Sequence, residues 1–157
     1  MSNLNHLHQL MQELGPVLEP ESVSQSSDTD WGIVYDEHTI IELEYEPQGN
    51  QLALSCELGR PNADQELATL RHCLLYNYLW QDTSGVVLAR SPEGSLIQLY
   101  RIPIADLDLQ LLCTIIRNFA DKAATWRDII TAGGLGPDDD PGNAAPEDFH
   151  PHTAIRA

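Results

Sequence analysis

The sequence predicts an α+β fold, with a helix, three strands, a helix, two strands and a last helix in that order over residues 1–131, and residues 132–157 set apart. Three observations predict it. Apolar and polar side chains alternate over residues 40–46 and 52–58, which gives strands with one wet face because successive side chains point to opposite sides. Short turn signals join three consecutive strands, the pattern of an antiparallel meander. Apolar residues three and four apart from Leu112 to Ile130 make one continuous stripe down a helix of about seven turns.

Taken in order, Leu4, Leu7, Met11 and Leu14 have the spacing of a short amphipathic helix that Gly15-Pro16 is expected to stop. At about three turns it is marginal alone, so its apolar face must rest on something. Residues 19–30 are polar and without periodicity, and are expected to be a loop. Trp31 to Asp36 is rich in strand formers. After the turn at Glu37-His38-Thr39, Ile41, Leu43 and Tyr45 point one way and Glu42, Glu44 and Glu46 the other. Pro47 to Asn50 turns the chain, and Leu52, Leu54, Cys56 and Leu58 then alternate with Ala53, Ser55 and Glu57.

Gly59 to Asp64 breaks the sheet and leads into a helix from about Gln65 to Trp80. Its apolar residues, Leu67, Leu70, Leu74, Leu75, Tyr78 and Leu79, cover more than one stripe, so a second contact is implied. Gly85 to Ser91 and Ser95 to Ile102 form a hairpin around Ser91-Pro92-Glu93-Gly94, apolar on both faces, which two strands cannot bury alone. Asp106 is the expected N-cap of the last helix, its core stripe is Leu112, Ile115, Phe119, Ala123, Trp126 and Ile130, and Gly133-Gly134 ends it. The Gly, Pro and Asp-rich tail has too little apolar content to offset its ordering entropy and is expected to be disordered.

The chain has 157 residues, 42% of them hydrophobic, enough for one domain with a core. A net charge of −16, from 24 acids and 8 bases, would repel a phosphate backbone or an anionic membrane surface. No run is long enough to span a bilayer, and the N-terminus lacks the basic and apolar regions of a secretory signal, so a soluble cytosolic protein is expected. Cys56, Cys73 and Cys113 are odd in number and lie in apolar periodic segments, which predicts reduced, buried thiols.

Chemistry is sparse. His72 and Cys73 are neighbours and diverge by about 100° on a helix, so they cannot pair as base and nucleophile, although another histidine could approach Cys73 in space. His6 and His8 do not share a helix face, Asp36-Glu37-His38 suits a turn, and His150-Pro151-His152 lies in the tail. No nucleophile elbow, CxxC pair, phosphate loop or HExxH motif is present. What remains is surplus apolar surface on a small acidic domain, best explained by self-association together with a peptide-like client.

The element order, with Trp31 to Asp36, Leu74-Leu75-Tyr76-Asn77, Gly85 to Leu88, Leu96 to Leu99 and Leu107 to Arg127, resembles the class I type III secretion chaperones, the CesT/SycE-like (Tir chaperone) family, over about residues 3–131. The resemblance implies a twisted antiparallel sheet with helices packed on it, in a bacterial cytoplasmic homodimer that binds the N-terminal segment of a secreted effector and keeps it competent for secretion. It implies no cofactor, no metal and no enzymatic activity; the secretion ATPase is a further partner it allows. The family's dimer contact falls here on Leu75, Tyr78, Leu79, Val87 and Leu88. Its client patches fall on Leu4, Leu7, Met11, Ile33 and Tyr35. Two alternatives stand beside it: a regulatory adaptor of the same fold that sequesters a regulator, and a small hydrolase or transferase using a Cys/His pair around Cys73.

Overall fold

The computed structural model describes residues 2–134. Its elements are α1 (Asn3–Leu18), β1 (Ser22–Gln25), β2 (Asp30–Asp36), β3 (Thr39–Glu46), β4 (Gln51–Gly59), α2 (Glu66–Tyr78), β5 (Val87–Arg90), β6 (Leu96–Pro103) and α3 (Leu109–Thr131). The strands form one six-stranded sheet of order β1-β2-β3-β4-β6-β5. The α+β architecture is the expected one with an added strand. The described residues divide into two compact units, residues 2–57 with Leu99–Ala124, and Leu58–Gln98 with residues 125–134.

In the first unit, Ser2 caps α1, its hydroxyl accepting from the Asn5 N–H at 3.2 Å. The helix does not stop at Gly15-Pro16. It runs on to Leu18 and ends at Glu19, whose φ of 53° is left-handed and whose N–H bonds the Gly15 carbonyl at 2.9 Å. Pro16 is tolerated because its ring would press on the Cβ of the preceding residue, and Gly15 has none. The missing N–H costs one hydrogen bond in the last turn, and the extra turn carries Leu18 into the core.

The expected loop over residues 19–30 contains β1, which pairs antiparallel with β2 from Ser22↔Val34 to Gln25↔Trp31. Its sequence, SVSQ, has no alternation to betray it; the pairing partner makes it a strand. The β3 and β4 alternation is as expected, with Ile41 and Leu43 inside against Glu42 and Glu44 outside, and Leu52 and Leu54 fully buried. Trp31 opposite Leu43 and Ile33 opposite Ile41 continue that inner face across β2. Leu7, Leu10, Met11 and Leu14 of α1 and Leu112, Ile116 and Phe119 of α3 complete the core.

Two details of α3 depart from expectation. The cap is Asp108, whose Oδ1 accepts from the Leu111 N–H at 2.7 Å, and Asp106 lies two residues before that cap. The buried stripe passes through Cys113, Ile116 and Ala120, leaving Ile115 half-buried; neighbouring positions on a helix are 100° apart, and both isoleucines fit the periodicity equally well.

In the second unit, Tyr76 and Trp126 meet edge to face with ring centroids 5.5 Å apart, and Arg90 Nε donates to Glu66 at 2.8 Å. The C-terminal end of α3 closes at Gly133 and Gly134, both at positive φ, as expected, and the Gly133 carbonyl accepts from the Asn62 N–H at 2.7 Å. From residue 135 the tail lies outside the described residues.

Replacing the α3 cap should cost what a lost N-cap usually costs. Asp108→Ala is expected to lower stability to urea by about 1 kcal/mol, while Asp106→Ala should change it by less than about 0.5 kcal/mol.

Candidate functional site

Two surfaces, one on each unit, have the properties of contact sites. In the second unit the site begins with Asn77. From the last turn of α2 its side-chain amide spans the backbone of Leu88: Nδ2 donates to the Leu88 carbonyl at 2.7 Å and Oδ1 accepts from the Leu88 N–H at 2.8 Å. A strand residue thus has both its polar groups satisfied by a helix side chain, and α2 is held to β5 in one rotational setting.

That setting decides which apolar residues of α2 face outward. Ala68 and Cys73 turn inward, while Leu67 and Leu74 are 64% and 69% exposed and Tyr78 is 54% exposed. Positions 67, 74 and 78 fall within one narrow arc of a helix, so these side chains form a row, with Trp80 exposed in the turn that follows. Among the residues expected at a dimer contact, Tyr78 is exposed, Leu75, Leu79 and Val87 are half-buried, and Leu88 is buried. Leu67, Leu74 and Trp80 are additions to that set. Their spacing is visible in the sequence, but a helix apolar all round does not say which stripe the sheet will take.

In the first unit, side chains hold α1 in place. His6 Nε2 donates to the Leu107 carbonyl at 2.7 Å, His8 Nε2 to the Asp28 carbonyl at 2.8 Å, and the His8 ring stands edge-on to Trp31. Arg117 Nη2 donates to the Val17 carbonyl at 2.9 Å. The histidines therefore serve α1 docking. Of the residues expected at a client contact, Leu7, Met11 and Ile33 are core side chains, and Leu4 and Tyr35 keep exposed surface. Tyr35 sits where the β2–β3 register shifts between Val34 and Asp36, a bulge that turns it from regular pairing. β1 is one of the two end strands of the sheet, its side chains mostly exposed.

The outer face of the same sheet holds a groove of about 580 Å³. Its floor is Ser24, Gly32, Ala53 and Ser55, small residues brought side by side by the pairings Ser24↔Gly32, Gly32↔Glu42 and Glu42↔Ser55. Ile40 and Leu99 give it apolar walls and Asp30, Glu42, Glu44 and Glu46 its charge. Arg101, also in the lining, donates to Glu46 from Nε at 3.1 Å.

Among the described residues, the surroundings of Cys73 do not make it a nucleophile. Cys73 is buried, and burial pushes its thiol from the ordinary 9.0 up to about 11, the wrong direction for a nucleophile. His72 Nδ1 donates within its own helix to the Ala68 carbonyl. Cys113 is likewise raised by burial, with Arg117 opposing. The three cysteines are buried and form no disulfide, as expected. Among the described residues, no group of three or more His, Cys, Asp or Glu could hold a metal ion, and no helix is long and apolar enough to cross a membrane.

The sequence profile of the Tir chaperone protein (CesT) family matches residues 7–127. No curated protein matches the chain significantly. Among solved structures, a chain of the ExsC-ExsE complex is similar with a TM-score of 0.71 and 17% identity, over 83% of this chain and 97% of that one. A chain of the HopA1-SchA chaperone-effector complex gives 0.65 and 20%, over 82% and 97%. A chain of the Yersinia pestis type III secretion chaperone SycH in complex with a stable fragment of YscM2 gives 0.56 and 15%, over 75% and 97%. At these identities the likeness is one of fold.

Two outcomes are expected from this geometry. Asn77→Ala removes both bonds to Leu88 and leaves strand polar groups unmatched, which should destabilise the chain by about 2–3 kcal/mol in urea denaturation. The Cys73 thiol is raised in the folded chain, so its contribution to stability is complete below pH 9.0 and is lost as pH rises toward about 11. Cys73→Ala should flatten that alkaline loss, read as the midpoint of urea denaturation between pH 8 and pH 11.

Proposed function

Because the chain belongs to the Tir chaperone protein (CesT) family, we propose that it is a type III secretion chaperone, acting in the bacterial cytoplasm as a homodimer that holds the N-terminal segment of an effector extended until it is exported. The observation that carries the dimer is the row of Leu67, Leu74 and Tyr78 on the outer face of α2. Large apolar side chains in such a row gain most when a second copy covers them, and a two-fold contact uses the same patch twice.

Client capture has a different basis. β1 offers a strand edge, and an extended peptide that adds to an edge gains backbone hydrogen bonds whatever its sequence. Side-chain contacts with Leu4 and Tyr35 would then give selectivity. Leu7, Met11 and Ile33 act from behind, by fixing where α1 and β2 lie. Holding a segment extended requires no hydrolysis, and the buried Cys73 thiol supports the reading of a chaperone over a Cys/His enzyme. The secretion ATPase would receive the loaded chaperone.

Light scattering after gel filtration tests the dimer. The full chain should elute at twice its 17.5 kDa mass at micromolar concentration. Leu67→Glu with Leu74→Glu should give a folded monomer by circular dichroism, with dimer affinity lowered at least about 100-fold. A wild-type monomer would overturn the proposal, as would a double variant that still dimerises fully.

A further inference from the structure

We infer that the outer face of the sheet in the first unit is a docking groove for a basic segment, a stretch of Lys or Arg side chains with an aliphatic residue among them. The groove has shape, an apolar component and a charge, and the three point to the same occupant. Its shape comes from small side chains: Gly32 lies in the middle of the floor, where a Cβ would come within 3.3 Å of Ser24 Oγ. Any larger residue there would fill the trough between Ser24 and Glu42.

Ile40 supplies the apolar component. It is 58% exposed on a strand whose other outward positions are glutamates, an isolated aliphatic chain at the wall of a groove. An aliphatic side chain of a docked segment can cover it.

The charge is one-sided. The lining holds four carboxylates, Asp30, Glu42, Glu44 and Glu46, and one cation, Arg101, which Glu46 already engages. Glu42 and Glu44 are two residues apart on β3, so their carboxylates stand about 7 Å apart, the spacing of alternate side chains in an extended chain. A segment lying along β3 can therefore set successive inward Lys or Arg side chains against them. An acidic segment would meet net repulsion, since four carboxylates outnumber the one guanidinium.

The biological occupant, a basic stretch of the effector segment, rests on the chaperone reading above; the groove's chemistry does not. Two synthetic peptides test it against the full chain: an extended peptide of alternating Lys and Thr with a central Leu, and the same peptide with Glu for Lys. Fluorescence anisotropy should show binding of the basic peptide that weakens steeply between 50 and 300 mM salt, and none of the acidic one. Glu42→Gln with Glu44→Gln should weaken binding about tenfold, and Gly32→Val should do so without changing any charge. Dimer mass is measured on the same samples. Equal affinity for both peptides, or binding indifferent to all three substitutions, would overturn the groove. A chain that is monomeric yet binds the basic peptide with this sensitivity supports the groove and sinks the chaperone reading alone.

Discussion

One side-chain amide sets the orientation on which the proposed dimer contact depends. Asn77 takes both polar groups of Leu88, and with them settles how α2 is rotated over β5. A helix carrying apolar residues on more than one side is not oriented by its periodicity alone. Once the amide is engaged, Cys73 and Ala68 go inward and Leu67, Leu74 and Tyr78 are left in water. The bare row is thus a consequence of the clamp. It also explains what an asparagine does in the Leu74-Leu75-Tyr76-Asn77 stretch: its amide carries a donor and an acceptor side by side, which match the Leu88 carbonyl and N–H.

The first unit separates its tasks by face. The inward residues Ile41, Leu43, Leu52 and Leu54 are aliphatic, and the outward ones on β3 and β4 that line the groove are small, acidic or, at Ile40, apolar. The outward glutamates hinder another sheet from stacking there, and the same charge suits a partner of opposite sign. The end strand β1 is short and polar, so it exposes an edge without adding a greasy surface.

Much of this is legible in the amino-acid sequence alone. The alternation of β3 and β4, the three buried thiols and the Gly133-Gly134 stop are local patterns, and so is the stripe of α3 apart from the choice between Ile115 and Ile116. What is not legible depends on a partner elsewhere in the chain. β1 is a strand because β2 lies beside it; Pro16 stays helical next to a Gly15 with no Cβ for its ring to press on; Asp108, and not Asp106, is placed where its carboxylate meets the Leu111 N–H. The candidate contact residues show the same limit. The family resemblance points to Leu7 and Ile33 as client contacts, and periodicity cannot tell an apolar residue that faces the core from one kept bare for a partner. The groove is half visible: the Glu42, Glu44 and Glu46 row is plain, and its small-residue floor emerges only with the strand register.

The central claim, that the outer row of α2 is covered by a twin, is tested most directly by the reactivity of a thiol placed inside it. The native cysteines are buried, so a bulky maleimide reports on an introduced one. Leu74→Cys should label at least about tenfold more slowly than Asp64→Cys, an exposed reference, at micromolar chain. Labelling of the two sites at equal rates, in a chain shown to be folded, would contradict the account.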